Sequence, residues 1–223
     1  MKILALDTST EHCSIALSLD GEIISKYVLA GQQHSTLLLP MLNDMLTTNN
    51  LTLAEFDGIA FGSGPGSFTG LRIACGVAQG LAFAAELPII GISTLEALAQ
   101  QTGSHHVIAT LDARMGEIYH AAYTRTADGW EAISEPTVCL PQNAPALTGE
   151  NWVGCGSGFD VYDQELSHRY HHQIINTQYD LYPHANEIAQ LAIAKLANQS
   201  GSQAIDAAPI YIRNKVALKE SER

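Results

Sequence analysis

The chain has 223 residues, 46% hydrophobic and 15% charged, and its 11 Lys+Arg against 23 Asp+Glu give a formal net charge of −12 at pH 7. That is enough apolar chain for one or two compact domains, whereas so acidic a chain lacks the clustered Lys and Arg that bind a polyanion by counterion release, so nucleic acid should be held weakly by the chain alone. Cys13, Cys75, Cys139 and Cys155 lie far apart with no CxxC pair, which argues for reduced thiols and against a disulfide framework or zinc ribbon.

The N-terminus enters a strand at Lys2 to Leu6 with no basic region, apolar segment and cleavage site before it, so a cytoplasmic location is expected. Strands follow at Cys13 to Leu19 and Glu22 to Leu29, joined by an Asp20-Gly21 hairpin. A helix from Ser35 to Thr48 sets Leu37, Leu38, Leu39, Met41, Leu42, Met45 and Leu46 against one charge, Asp44. A strand from Asp57 to Phe61 then leads into GSGPGSFTGLR, residues 62 to 72, and a helix from about Thr69 to Ala85. Gly62, Gly64, Pro65, Gly66 and Gly70 describe a strand, a tight loop and a helix start, with Ser67 or Thr69 as cap and Phe68 between them. A phosphate cradle is the functional alternative. The missing Lys after the last glycine, the missing GxGxxG register and the lost donor at Pro65 favour a structural turn.

Beyond its first turn the second helix carries only Arg72, Gln79 and Glu86 as charged or amide side chains, seven apart and so on one line. Gly76, Gly80 and Ala84 make a smooth stripe at four-residue spacing. A helix this apolar is buried on two sides. Both helices are either central in a large core or form a docking surface, and the limited length favours docking through Leu38, Leu42, Met45, Leu46, Arg72, Gly76, Gly80 and Phe83. The apolar region Ile73 to Ile92 is interrupted by Gln79, Glu86 and Pro88, which argues against a membrane span.

A strand at Pro88 to Ile92 and a helix at Thr94 to Gln101 close the first half. The opening then recurs: VIATLD at Val107 to Asp112 stands beside ILALD at Ile3 to Asp7, and a strand from Glu117 to Thr124 again leads to an Asp-Gly turn at Asp128-Gly129. The spacing from Asp to Asp-Gly is 13 residues in the first copy and 16 in the second, so an internal duplication is expected, with units 1–102 and 103–223. Each unit is a mixed sheet flanked by helices, an α/β fold. The second continues through a strand into a glycine loop at Asn151 to Gly158 and a helix at Ala185 to Asn198. Ile210 to Arg213 then return to the body. Arg213, Lys215, Lys219 and Arg223 form a basic end, read as a solvated tail before a contact for RNA.

The nine histidines are read as forming no HxxxH motif and no metal centre, since His105-His106 and His171-His172 are adjacent pairs, and no Asp or Glu beside His168 and His171 completes a site. His34 reads as a helix-start or interface residue. Ser67 lacks the GxSxG setting of a nucleophile elbow.

Two sheets, each with an Asp at the end of its first strand, resemble the actin, Hsp70 and sugar-kinase ATPase superfamily with its duplicated RNase H-like fold. The resemblance puts Asp7, Thr8 and Ser9 in the first acidic loop and Asp112, Ala113 and Arg114 in the second, both without the glycines that wrap phosphates. DTST at Asp7 to Thr10, QHSTLLLP at Gln33 to Pro40, GSGPGSFTGLR, LDARMGEIY at Leu111 to Tyr119 and PIYIRNKVA at Pro209 to Ala217 together resemble the TsaB family, formerly YeaZ, over essentially the whole chain. The resemblance implies a noncatalytic subunit without cofactor or metal. Its partners would be TsaD, which transfers threonylcarbamoyl to the adenosine beside the anticodon of tRNAs reading codons that begin with adenine, and TsaE, a P-loop ATPase. It also implies a homodimer when the chain is isolated, and tRNA contact only through the complex. An independent ATPase or kinase, or a metalloprotease, are the alternatives.

Overall fold

The computed structural model describes residues 1–198 and 201–213; Lys215, Lys219, Arg223 and the end of the PIYIRNKVA segment lie outside the described residues. The first sheet is made of β1 (Lys2–Asp7), β2 (His12–Leu19), β3 (Glu22–Leu29), β4 (Gly58–Gly64) and β5 (Ile89–Ser93), in the order β3-β2-β1-β4-β5. The helices α1 (His34–Thr48) and α2 (Phe68–Ala85) precede and follow β4. After α3 (Thr94–Thr102) the second sheet repeats the plan with β6 (His106–Arg114), β7 (Glu117–Thr126), β8 (Gly129–Cys139), β9 (Trp152–Cys155) and β10 (Ile174–Gln178), and α4 (Ser157–Arg169) stands where α2 stands in the first lobe. Read as β8-β7-β6-β9-β10, the second order equals the first, so the duplication predicted from two short strand motifs holds at the level of topology.

The central strands β1 and β4 are buried along nearly their whole length, which is why Ile3 to Leu6 and Ile59 to Phe61 read as unbroken apolar runs. Strand β4 extends past Phe61, because Gly62 and Gly64 still pair with Ile92 and Ser93 of β5. Helix α4 and strand β10 have no clear sequence signature. Non-helical backbone at Tyr162 breaks α4, so its buried Phe159 and Leu166 lie on no continuous stripe.

The covering helices cross between lobes. Helix α3, which ends the first half, places Leu95, Leu98 and Ala99 in a cluster with Val107, Ala109, Leu111 and Ala121 of the second sheet. In return α5 (Ala185–Asn198) sets Ala185, Ile188, Ala189 and Ala192 on Ile3, Ala5, Ala16 and Ala60 of the first sheet, and the Ala185 N–H donates to Ser14 Oγ at 2.9 Å. The strands of the first sheet thus lie within residues 2–93 and those of the second within 106–178, while each half lends a helix to the core of the other. A fragment of residues 1–102 lacks the cover for one sheet face and is expected to show no cooperative thermal transition; a sharp, two-state melt of that fragment would contradict this.

Candidate functional site

The glycine segment exists to be touched. A Cβ on Gly62 would collide with the Asp7 carboxylate, one on Gly66 with the Ser9 carbonyl, and one on Gly70 with the Thr8 carbonyl. The contacts are reciprocal, for the Ser67 N–H donates to Ser9 O at 2.7 Å and the Thr8 hydroxyl to Gly70 O at 2.7 Å. Ser67 also caps α2 by accepting from the Gly70 N–H. The loop after β1 is thus gripped by the turn into α2. The second lobe repeats the grip, since Cβ atoms on Gly156 and Gly158 would meet Thr110. This supports the structural-turn reading of GSGPGSFTGLR.

A cleft of about 850 Å³ opens between the lobes, walled on one side by Ser9, Thr10 and Ser67 to Gly70, and on the other by Asp112 to Met115 and Ser157. The two acidic loops do not meet it alike. Asp7 is fully buried and does not line the cleft; its Oδ2 accepts from the Ser9 N–H and Oγ at 3.1 and 2.9 Å, while Oδ1 has no partner among the described residues. Asp112 does line the cleft, but Arg114 Nη1 lies 3.1 Å from its Oδ2, and the Arg114 N–H donates to Oδ1 at 2.9 Å. The Asp112 carboxylate is therefore engaged by Arg114 through both its guanidinium and its backbone N–H.

Burial pushes the Asp7 carboxyl up to about 7, against the two Ser9 hydrogen bonds that favour its ionised form. An acid whose native pKa lies above its unfolded value of 3.8 holds more protons folded than unfolded between about pH 4 and 7. Its contribution to stability therefore falls as pH rises through that window. Asp7→Asn, which cannot titrate, should flatten the pH dependence of unfolding between pH 4 and 8 by an amount on the order of 4 kcal/mol. Urea unfolding curves with the same pH slope for both proteins would refute it.

The predicted docking residues divide. Leu38, Leu42 and Met45 are 1, 3 and 5% exposed and pack into the first core with Ile15, Leu17 and Phe56, so these side chains hold α1 to the sheet and do not offer it to a partner. Leu46 is half-buried against the same core. On α2 the outward face carries Arg72, Gly76, Gly80 and Phe83, with Phe83 81% exposed and open space over both glycines. Leu39 adds an exposed apolar side chain on α1. Length and composition alone would let α2 cross a membrane, but its inner face, Leu71, Ala74, Cys75, Ala78 and Ala82, is buried in this fold.

His34 opens α1, buried, with Nε2 3.2 Å from the His12 carbonyl, a helix-start role. His168 and His172 have the i, i+4 spacing of a helical metal pair, so the expectation that the chain holds no HxxxH is wrong. Helix α4 ends at Arg169, so His172 lies beyond it, and among the described residues no three His, Cys, Asp or Glu side chains converge as metal ligands. Arg213 is no free cation of a solvated tail, because its guanidinium pairs with Glu117 of β7.

The profile of the family described as "TsaD: tRNA N6-adenosine threonylcarbamoyltransferase" matches residues 23–220. The tRNA threonylcarbamoyladenosine biosynthesis protein TsaB of Escherichia coli (strain K12) is 40% identical over 99% of this chain and 98% of its own length. Its namesake from Haemophilus influenzae is 38% identical over 99% and 97%. Among solved structures, YeaZ from Pseudomonas aeruginosa superposes with a TM-score of 0.87 at 37% identity, covering 94% of this chain and 99% of that one.

Proposed function

The chain belongs to the TsaB family, and from that premise we propose that it is a noncatalytic subunit in the synthesis of threonylcarbamoyladenosine in tRNA, activating TsaD by docking on it. The relatives' names supply the pathway. The noncatalytic role rests on one observation: of the two Asp positions that hold metal and phosphate in the ATPase superfamily, Asp7 is sealed behind Ser9 and Gly62, and Asp112 is paired with Arg114. Docking is supported by the open apolar face of α2 around Gly76, Gly80 and Phe83. TsaE completes the complex, and the same face joins two copies when TsaD is absent. In this role the protein works in the cytoplasm and meets tRNA through the complex, consistent with its net charge of −12.

The test is reconstitution with purified TsaD, TsaE, threonylcarbamoyl adenylate and tRNA, each component omitted in turn. Modified nucleoside should disappear without this chain and without TsaD, and the chain alone should neither modify tRNA nor hydrolyse ATP. ATP turnover by the isolated chain, lost in Asp7→Ala, would instead support an independent ATPase.

A further inference from the structure

The single polar line on α2 has a use that docking does not explain. Gln79 donates through Nε2 to the Ala207 carbonyl at 2.9 Å, and Arg72 donates through Nε to the Tyr211 hydroxyl at 2.8 Å. Both bonds hold residues 207–211, the segment that returns from the far end of the chain. Cys75 Sγ reaches the same Ala207 carbonyl, and the Ile210 N–H donates to Ser63 O at 2.7 Å. Further back, Ser202 and Ile89 exchange a pair of backbone bonds. The glycine segment leaves room for this strap as well, because a Cβ on Gly64 would lie 2.7 Å from the Ile210 carbonyl. Arg72 stacks on Phe68, whose ring lies 5.4 Å from that of Tyr211.

All of those attachments are to the first lobe. The reach to the second lobe is made by Arg213, whose guanidinium pairs with Glu117 of β7 and lies 3.5 Å from the Arg114 carbonyl. Its side chain is only 13% exposed. Ile210 to Arg213 also line the cleft. We propose that residues 207–213 form a bolt, seated on the first lobe along α2 and caught on the second lobe by the Arg213–Glu117 pair, which holds the interlobe cleft at its present width. The lobes are also joined by the exchanged helices α3 and α5, by Trp130 of β8 against the first-lobe cluster, and by the ring contacts of His12 with Tyr182 and Tyr27 with His184. Releasing the catch then lets the cleft open without unseating the strap.

The experiment places nitroxide labels on opposite rims of the cleft, at Gln32→Cys and Val161→Cys, both exposed, in a Cys139→Ser background that leaves the buried native cysteines unlabelled. Arg213→Glu should shift the interlobe distance distribution to longer values and broaden it, and Glu117→Arg alone should do the same. The double exchange, which restores an opposite-charge pair, should return the distribution toward that of the parent. Hydrogen exchange at the Ile210 amide should change less than threefold in Arg213→Glu, since its bond to Ser63 persists, whereas Arg72→Ala should speed it by roughly tenfold. Unchanged distances in both single variants, or no recovery in the double exchange, would overturn the catch. Loss of Ile210 protection in Arg213→Glu as large as in Arg72→Ala would show a strap without a separate catch, and overturn the proposal equally.

Discussion

Gly70→Ala is expected to lower the stability of the free protein by about 3 kcal/mol, a fall in Tm of about 6–12 °C for a chain of this size. The added methyl would enter the space of the Thr8 carbonyl, which is backbone and is itself held by the Gly70–Thr8 and Ser67–Ser9 bonds, so neither side can yield without opening the grip. Gly76→Ala, six residues along the same helix, is the matching control. Its Cβ meets nothing, and replacing an exposed mid-helix glycine by alanine should raise stability by about 1 kcal/mol. Opposite signs in thermal unfolding would establish that Gly70 is required by close backbone approach and Gly76 is not. A Gly70→Ala protein as stable as its parent would show that the grip is loose.

Gly80→Arg should leave the free chain folded and remove its associations. The position is exposed, has open space around it, and arginine favours a helix over glycine, so circular dichroism and melting should match or slightly exceed the parent. Buried against a partner, the guanidinium would lose its water without gaining an acceptor. A loss of about 3 kcal/mol or more, a hundredfold or greater weakening, is expected for both the homodimer and the TsaD pair, with tRNA modification falling in step. Mass in solution and copurification with TsaD read this directly. A folded variant that associates normally would move the interface off this face of α2.

The order of elements was legible because each lobe opens with alternating strands and an Asp-Gly hairpin, and because the central strands are buried on both faces. Which side of α1 points inward was not. Leu38, Leu42 and Met45 share one face and Leu39 sits on another, and with apolar residues on both, periodicity cannot say which face meets the sheet. The broken helix α4 escaped for the complementary reason, since non-helical backbone at Tyr162 scrambles its pattern. The glycine segment announced a tight turn correctly, yet its three close contacts, with Asp7, Thr8 and Ser9, are about 55 to 62 residues away in sequence and no local rule reaches them. The polar line of Arg72 and Gln79 was visible, but its partners Tyr211 and Ala207 were not.

The crossing of α5 onto the first sheet also bears on how the chain is made. Ser14 waits for Ala185, 171 residues later, so during synthesis the first sheet emerges from the ribosome with Ile3, Ala5, Ala16 and Ala60 uncovered until residues 185–192 have been translated. Domains that close early escape aggregation by burying such surface as they appear. This one cannot. One face of its N-terminal lobe stays open until α5 arrives, and the contacts that close it are long-range, the kind that slow folding.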